Sequence, residues 1–153
     1  MQSRSVLASA IATVLVAVTL AAPTAAQAPA APFKAHVDLK TFMEHVLTPA
    51  AKVIWRANAY VIDANGEHDL SPKTDADWEQ IVTGSATLAE ATNALLIPER
   101  VRDPGWTRHA QRLGVAAAKA YRGAEDHDLK AVAEVSDQLD GLCAACHRQY
   151  GLE

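Results

Sequence analysis

Cysteine is nearly absent from this 153-residue chain: there are two, Cys143 and Cys146, both close to the C-terminus. A four-ligand zinc site wants a second Cys or His pair at matching spacing, and no further cysteine exists to supply one. Methionine is as scarce, with Met1 and Met43 the only two. There is no glycine-rich phosphate loop and no Ser, His and Asp set with a reason to converge, so an enzyme is not expected. The longest apolar run, Val6 to Leu20, is about 15 residues, short of the roughly 20 that span a bilayer. Basic residues are in deficit, 14 Lys plus Arg against 18 Asp plus Glu for a net charge of −4. That balance argues against nucleic acid and anionic membrane surfaces and mildly for a basic or neutral partner.

What is present is concentrated in Cys143-Ala144-Ala145-Cys146-His147. This is the spacing of a c-type haem attachment site. The two thiols would form thioethers with the haem vinyl groups, and the adjacent imidazole would be the proximal iron ligand. On a helix, positions i, i+3 and i+4 share one side, so all three side chains can be offered to one macrocycle. Two other readings each lack something. A thioredoxin-like dithiol opens a helix after a buried strand, whereas this motif closes a long helical pattern. A disulfide would close a tiny loop within a helix and leave His147 unexplained.

The N-terminus agrees with the motif. Arg4, the apolar run and the small-residue stretch Ala21–Ala28 have the layout of a cleaved secretory signal, with cleavage after Ala26 or Ala28. Covalent haem attachment of this kind is completed outside the bacterial cytoplasm, so a periplasmic protein without stable membrane insertion after signal cleavage is expected. Removing the signal takes away Arg4 and makes the chain more acidic by one unit. The expected organisation is a signal over 1–28, a flexible Ala/Pro leader over 29–35 and one haem domain over 36–153.

Within that domain, hydrophobic periodicity predicts four helices. The first starts at an Asp38 cap and runs to about Tyr60, with Leu39, Phe42, Met43, Val46, Ala50, Val53, Ile54 and Ala57 inward. Pro49 removes one backbone donor and presses on the carbonyl of His45, predicting a kink or restart there, with the haem-facing half before it. Residues 62–75 read as a loop with Asn65-Gly66 and Ser71-Pro72 as breakers; a tiny hairpin is the alternative, without an obvious strand partner. The second helix covers about Ala76–Leu96. Asp103-Pro104-Gly105 reads as a turn, the third helix as about Thr107–Arg122 with Gly123 as its stop. The fourth, about Asp128–Tyr150, puts Leu129, Val132, Val135, Leu139, Leu142, Cys143 and Cys146 on one stripe. The expected fold is all-α, an antiparallel up-and-down four-helix bundle with one covalently bound haem c.

Three features together make the chain similar to the class II c-type cytochromes, the cytochrome c′ family: the C-terminal position of Cys143, Cys146 and His147, the aromatic Tyr150 three residues on, and the mature length. The resemblance covers about residues 35–153. It implies that first-helix residues form the distal side of the haem. A methionine there makes an electron carrier that exchanges electrons with periplasmic redox partner proteins. An apolar residue leaves a five-coordinate iron that binds small gases such as nitric oxide or carbon monoxide. Met43, alone after signal removal and on the apolar stripe, is the candidate distal ligand; its alternative is an ordinary core methionine. His45 lies about 200° around the helix from Met43 and is placed on the solvated face.

Family members also often dimerise through their first two helices, so a homodimer is an implied state. Two family features are missing: the basic residue one turn before the distal position is replaced by Leu39 with Lys40 beside it, and the one after the aromatic by Gly151, with Arg148 beside the proximal histidine. His36, His68, His109 and His127 are expected at the surface. Arg100, Arg102 and Arg108 are read as a solvated loop cluster. Trp55, Trp78 and Trp106 are expected in the core or the haem wall.

Overall fold

The computed structural model describes residues 33–151. The signal segment and most of the leader lie outside the described residues. The described chain is mostly helical, 71% helix in four helices with one small two-stranded sheet. The first helix is composite: α1 (Leu39–Phe42), a π-helical turn (Met43–Leu47) and α2 (Thr48–Trp55), followed by a 3₁₀ turn (Arg56–Asn58). A hairpin follows, β1 (Tyr60–Asp63) with β2 (Gly66–Asp69). Then come α3 (Asp75–Ala94), α4 (Pro104–Glu125) and α5 (Leu129–Tyr150). Helix α3 packs on α4, α4 on α5, and α2 on both α3 and α5.

Each helix start has its local cause. Asp38, Asp103 and Asp128 accept from the backbone N–H three residues on, and Thr74 and Asp77 form a reciprocal capping box. Asp103-Pro104-Gly105 is therefore a helix start and not the expected turn. Asp is the cap, and Pro104 occupies the first helical turn, where its missing N–H costs nothing. At the other end of the chain, Gly151 adopts the left-handed conformation (φ 61°) and its N–H bonds to the His147 carbonyl, closing α5.

The disturbance expected at Pro49 occurs one turn earlier and is not a break. The Thr48 N–H reaches back to the Met43 carbonyl, a five-residue step, so the helix widens just ahead of the proline and then continues. The loop expected over 62–75 contains the hairpin, with Tyr60 opposite Asp69 and Asp63 opposite Gly66. All eight strand residues are exposed. No apolar alternation marks the second strand, Gly-Glu-His-Asp, which is why periodicity misses it.

The core is rich in alanine. Ala50, Ala51, Ala57, Ala110, Ala116, Ala117, Ala120 and Ala124 are buried alongside Ile54, Leu88, Trp106, Val132, Val135 and Leu139. Burying each of the large aliphatic side chains contributes about 1.5–3 kcal/mol. Trp106 is anchored twice, by burial and by its indole N–H, which donates to the Leu95 carbonyl at 2.7 Å and ties the start of α4 to the end of α3. Leu129, expected inward, is 37% exposed at the first position of α5.

Gly123 does not stop the third helix. It lies inside α4 with ordinary helical geometry, and a Cβ there would meet the Ala131 Cβ at 3.0 Å and the Val132 Cγ2 at 3.3 Å. Gly123→Ala should stay within about 1 kcal/mol of the parent, because helix propensity offsets the squeeze. Gly123→Leu should lose about 1–3 kcal/mol by overpacking. Urea unfolding of the two variants measures this; a cap glycine would instead make alanine the costly change.

Candidate functional site

Helix α5 carries Cys143, Cys146 and His147 on one side of its last two turns, and all three side chains line one cleft. Every other helix contributes to the same cleft: Met43 and Leu47 from the π turn, Thr48, Ala51 and Trp55 from α2, Leu88 from α3 with Leu95 at its end, and His109, Ala110 and Leu113 from α4. The cleft is partly open, with about 720 Å³ of non-atom space when its solvent-open part is included. Its wall is apolar apart from a few polar atoms. Small residues, Ala51 and Ala110, stand where larger ones would fill it.

The π turn decides which first-helix residues reach this wall. Met43, Leu47, Ala51 and Trp55 recur every four residues, and in a regular α-helix that spacing drifts about 40° per step. A widened turn between Met43 and Leu47 reduces the drift, so residues on both sides of Pro49 share one cleft. The expectation that only the half before Pro49 faces the site is corrected accordingly. His45 is exposed and lines a separate surface groove with Val46, Pro49 and Val53.

Both cysteines are free thiols. Burial pushes the Cys143 thiol up, with Asp140 adding to the shift; burial also raises Cys146, with the Arg102 charge opposing it. The thiols are therefore held neutral, the opposite of the lowered values that mark a redox-active dithiol. Among the described residues no group of three or more His, Cys, Asp or Glu side chains converges to hold a metal ion. A porphyrin supplies its own equatorial nitrogens and asks the protein for axial ligands only. The residues present fit such a group: a long apolar wall, two neutral thiols beside one imidazole, and a methionine in the same cleft. The indole N–H of Trp55, in that wall, is buried without a protein partner. It can donate to an acceptor on a bound group.

Two residues depart from their expected places. His109 is half-buried in the cleft wall, with its Nε2 2.9 Å from the Gln149 Oε1 and its ring edge-on to Tyr150. Its spacing of four from the apolar Leu113 is the signal that places it there. Arg100 is buried, not solvated: its guanidinium lies 4.4 Å from the Phe42 ring and donates to the carbonyls of Ala94 and Val37. Arg102 covers Trp106 and Tyr150, so the three arginines do not form one loop cluster. His127 is exposed but stacks on Trp78 at 4.8 Å.

No family model, curated protein or solved structure matches the chain.

Besides the His109–Gln149 pair, the end of α5 is tied to the start of α4 through Asp103. The Tyr150 hydroxyl donates to the Asp103 carboxylate at 2.7 Å, and the Trp106 N–H donates to the same oxygen at 2.9 Å. The Tyr150 bond and then the Trp106 N–H hold Asp103 below its ordinary value, while burial and the same carboxylate raise Tyr150. A depressed carboxyl contributes stability that is full above about pH 4, its unfolded value, and is lost as pH falls through the lower folded value. A raised phenol contributes below about pH 10 and loses it as pH rises further. Asp103→Ala should therefore lower the urea midpoint at pH 7 relative to the parent, with the difference shrinking toward about pH 2. An unchanged difference across that range would show that the carboxylate does not make the tie.

Proposed function

We propose that the protein is a periplasmic c-type cytochrome carrying single electrons through one haem c, held by thioethers to Cys143 and Cys146, with His147 as proximal and Met43 as distal iron ligand. The observation that carries this reading is the convergence of those four residues on one apolar cleft built from all four helices. Bound haem would supply one-electron iron chemistry. The chain's own part is to hold the plate in an apolar wall, to offer one nitrogen and one sulfur ligand, and to keep water from the iron.

The matching architecture is the antiparallel up-and-down bundle of the class II cytochromes. Three contacts between helices support it. Trp106, at the start of α4, bonds to Leu95 at the end of α3; Tyr150, at the end of α5, bonds to Asp103 at the start of α4; and Lys119 pairs with Glu134 at 2.7 Å near the opposite end. The two α4–α5 contacts, one at each end of the pair, are those expected of helices running in opposite directions, and the Trp106–Leu95 bond is consistent with a tight corner between α3 and α4. The secretory layout of residues 1–28 supports a periplasmic location.

Absorption spectra of the purified protein, oxidised and reduced, with and without carbon monoxide, test the assignment. The expected parent is low-spin, shows a weak sulfur-to-iron band when oxidised and ignores the gas. Met43→Ala should become high-spin and bind carbon monoxide stoichiometrically. A parent that already binds the gas would make Met43 a wall residue and the protein a five-coordinate gas binder. No haem band after maturation in a host that attaches haem c would remove the reading altogether.

A further inference from the structure

Helix α4 carries a second feature that the cleft does not absorb. Arg108, Arg112, Val115, Lys119 and Arg122 recur at steps of four and three, which puts them on one face of the helix. They line an open groove between α4 and α5, with about 990 Å³ of non-atom space and Leu142 on its α5 side. Four cations thus face one groove, and its lining contains no carboxylate. Only Lys119 is in an ion pair, with Glu134; among the described residues Arg108, Arg112 and Arg122 have none. Val115, at the centre of the stripe, is 72% exposed. In a chain of net charge −4, that is a strong local segregation of sign.

We infer that this groove is the docking surface for an acidic partner protein, with Val115 as its apolar centre and the four cations as its rim. The charge pattern selects an acidic surface, the reverse of the basic or neutral partner that net charge suggests. Protein interfaces pair apolar contact with a charged border, and here the cations flank Val115 on both sides along the stripe. The amides of Gln111 and Gln138 in the lining add neutral hydrogen-bonding groups that a protein surface can answer with its own. The groove also meets the cleft: Leu142 lines both, and Cys143 follows it. A partner seated here lies against the helix that bears the thioether cysteines. That the partner is a redox protein rests on the haem reading above; the charge argument does not.

The test is titration of the full mature protein, loaded as isolated, with a polyglutamate peptide, followed by amide chemical shifts and by the visible spectrum in the same samples. Expected are shifts concentrated between residues 108 and 122 and around Leu142, and affinity that falls about tenfold between roughly 20 and 200 mM salt. The Arg112→Glu/Arg122→Glu pair, both exposed and outside the cleft, should weaken binding at least about tenfold with an unchanged spectrum. Lys52→Glu, an exposed charge on α2, should leave it unchanged. Equal weakening by Lys52→Glu would reduce the effect to net charge and overturn the proposal. So would binding to phosphatidylglycerol vesicles without binding to polyglutamate. A normal haem spectrum with no shifts in α4 removes the docking surface and spares the cytochrome reading; shifts in α4 without a haem band do the reverse.

Discussion

The structure depends on how closely α4 can approach its neighbours. Along its inner face the buried positions are Gly105, Ala110, Ala116, Ala117, Ala120, Gly123 and Ala124, with Trp106 the single large exception. Small side chains let helix backbones come close, so α4 gains many weak dispersion contacts where a leucine face would gain fewer, larger ones. The same smallness has an opposite effect toward α2 and the end of α5. There Ala51 and Ala110 line a cleft that their small side chains do not fill, and its wall is completed by Leu47, Leu88, Leu95 and Leu113. Close packing toward the end of α4 and room nearer its start follow from one compositional choice, and Trp106, hydrogen-bonded to Leu95, anchors the start of the helix.

Much of this was legible in the sequence, and the failures share a cause. Long amphipathic stripes over the first helix and α5 place nearly the right residues inside, because burial imposes a period that side-chain hydropathy records. Breakers are more ambiguous. Asp103-Pro104-Gly105 and Gly123 look like interruptions, yet Asp-Pro is as good a helix start as it is a turn, and glycine serves close approach as well as termination. Which use applies depends on a neighbouring helix that the local sequence does not contain. The hairpin over Tyr60–Asp69 was obscured for another reason: all its residues are exposed, so no hydrophobic pattern records it, and its turn chemistry alone, Asn65-Gly66, gave the only hint.

The π turn shows why a site can be partly readable. Met43 was identifiable as a candidate ligand from its scarcity and its position on an apolar stripe. Leu47, Ala51 and Trp55 were not, because a regular helix carries positions four apart progressively away from one another. Pro49 supplies the physical reason for the widened turn: it cannot donate to the His45 carbonyl and would collide with it. Relieving that collision by widening the helix leaves the backbone continuous and brings a longer column of side chains to the cleft than an undisturbed or a broken helix would. His109 was missed in a simpler way. It was judged by residue type, whereas its place is set by the register of α4, one turn before Leu113.

Charge was the least transferable property of all. A net charge of −4 describes the chain at distances large compared with its own size, but a partner at contact responds to groups within about a Debye length, roughly 8–10 Å. The lining of the α4 groove is cationic, because Arg108, Arg112, Lys119 and Arg122 share one helix face, and two neighbouring carboxylates, Glu134 beside Lys119 and Asp103 at the head of the same helix, are each already held in a hydrogen bond. Helical periodicity therefore sorts charge as it sorts hydrophobicity. One face of α4 builds the core and the cleft, and another concentrates positive charge beside α5. The spacing that sets both was present in the sequence; summing the charges before assigning them to faces erased it.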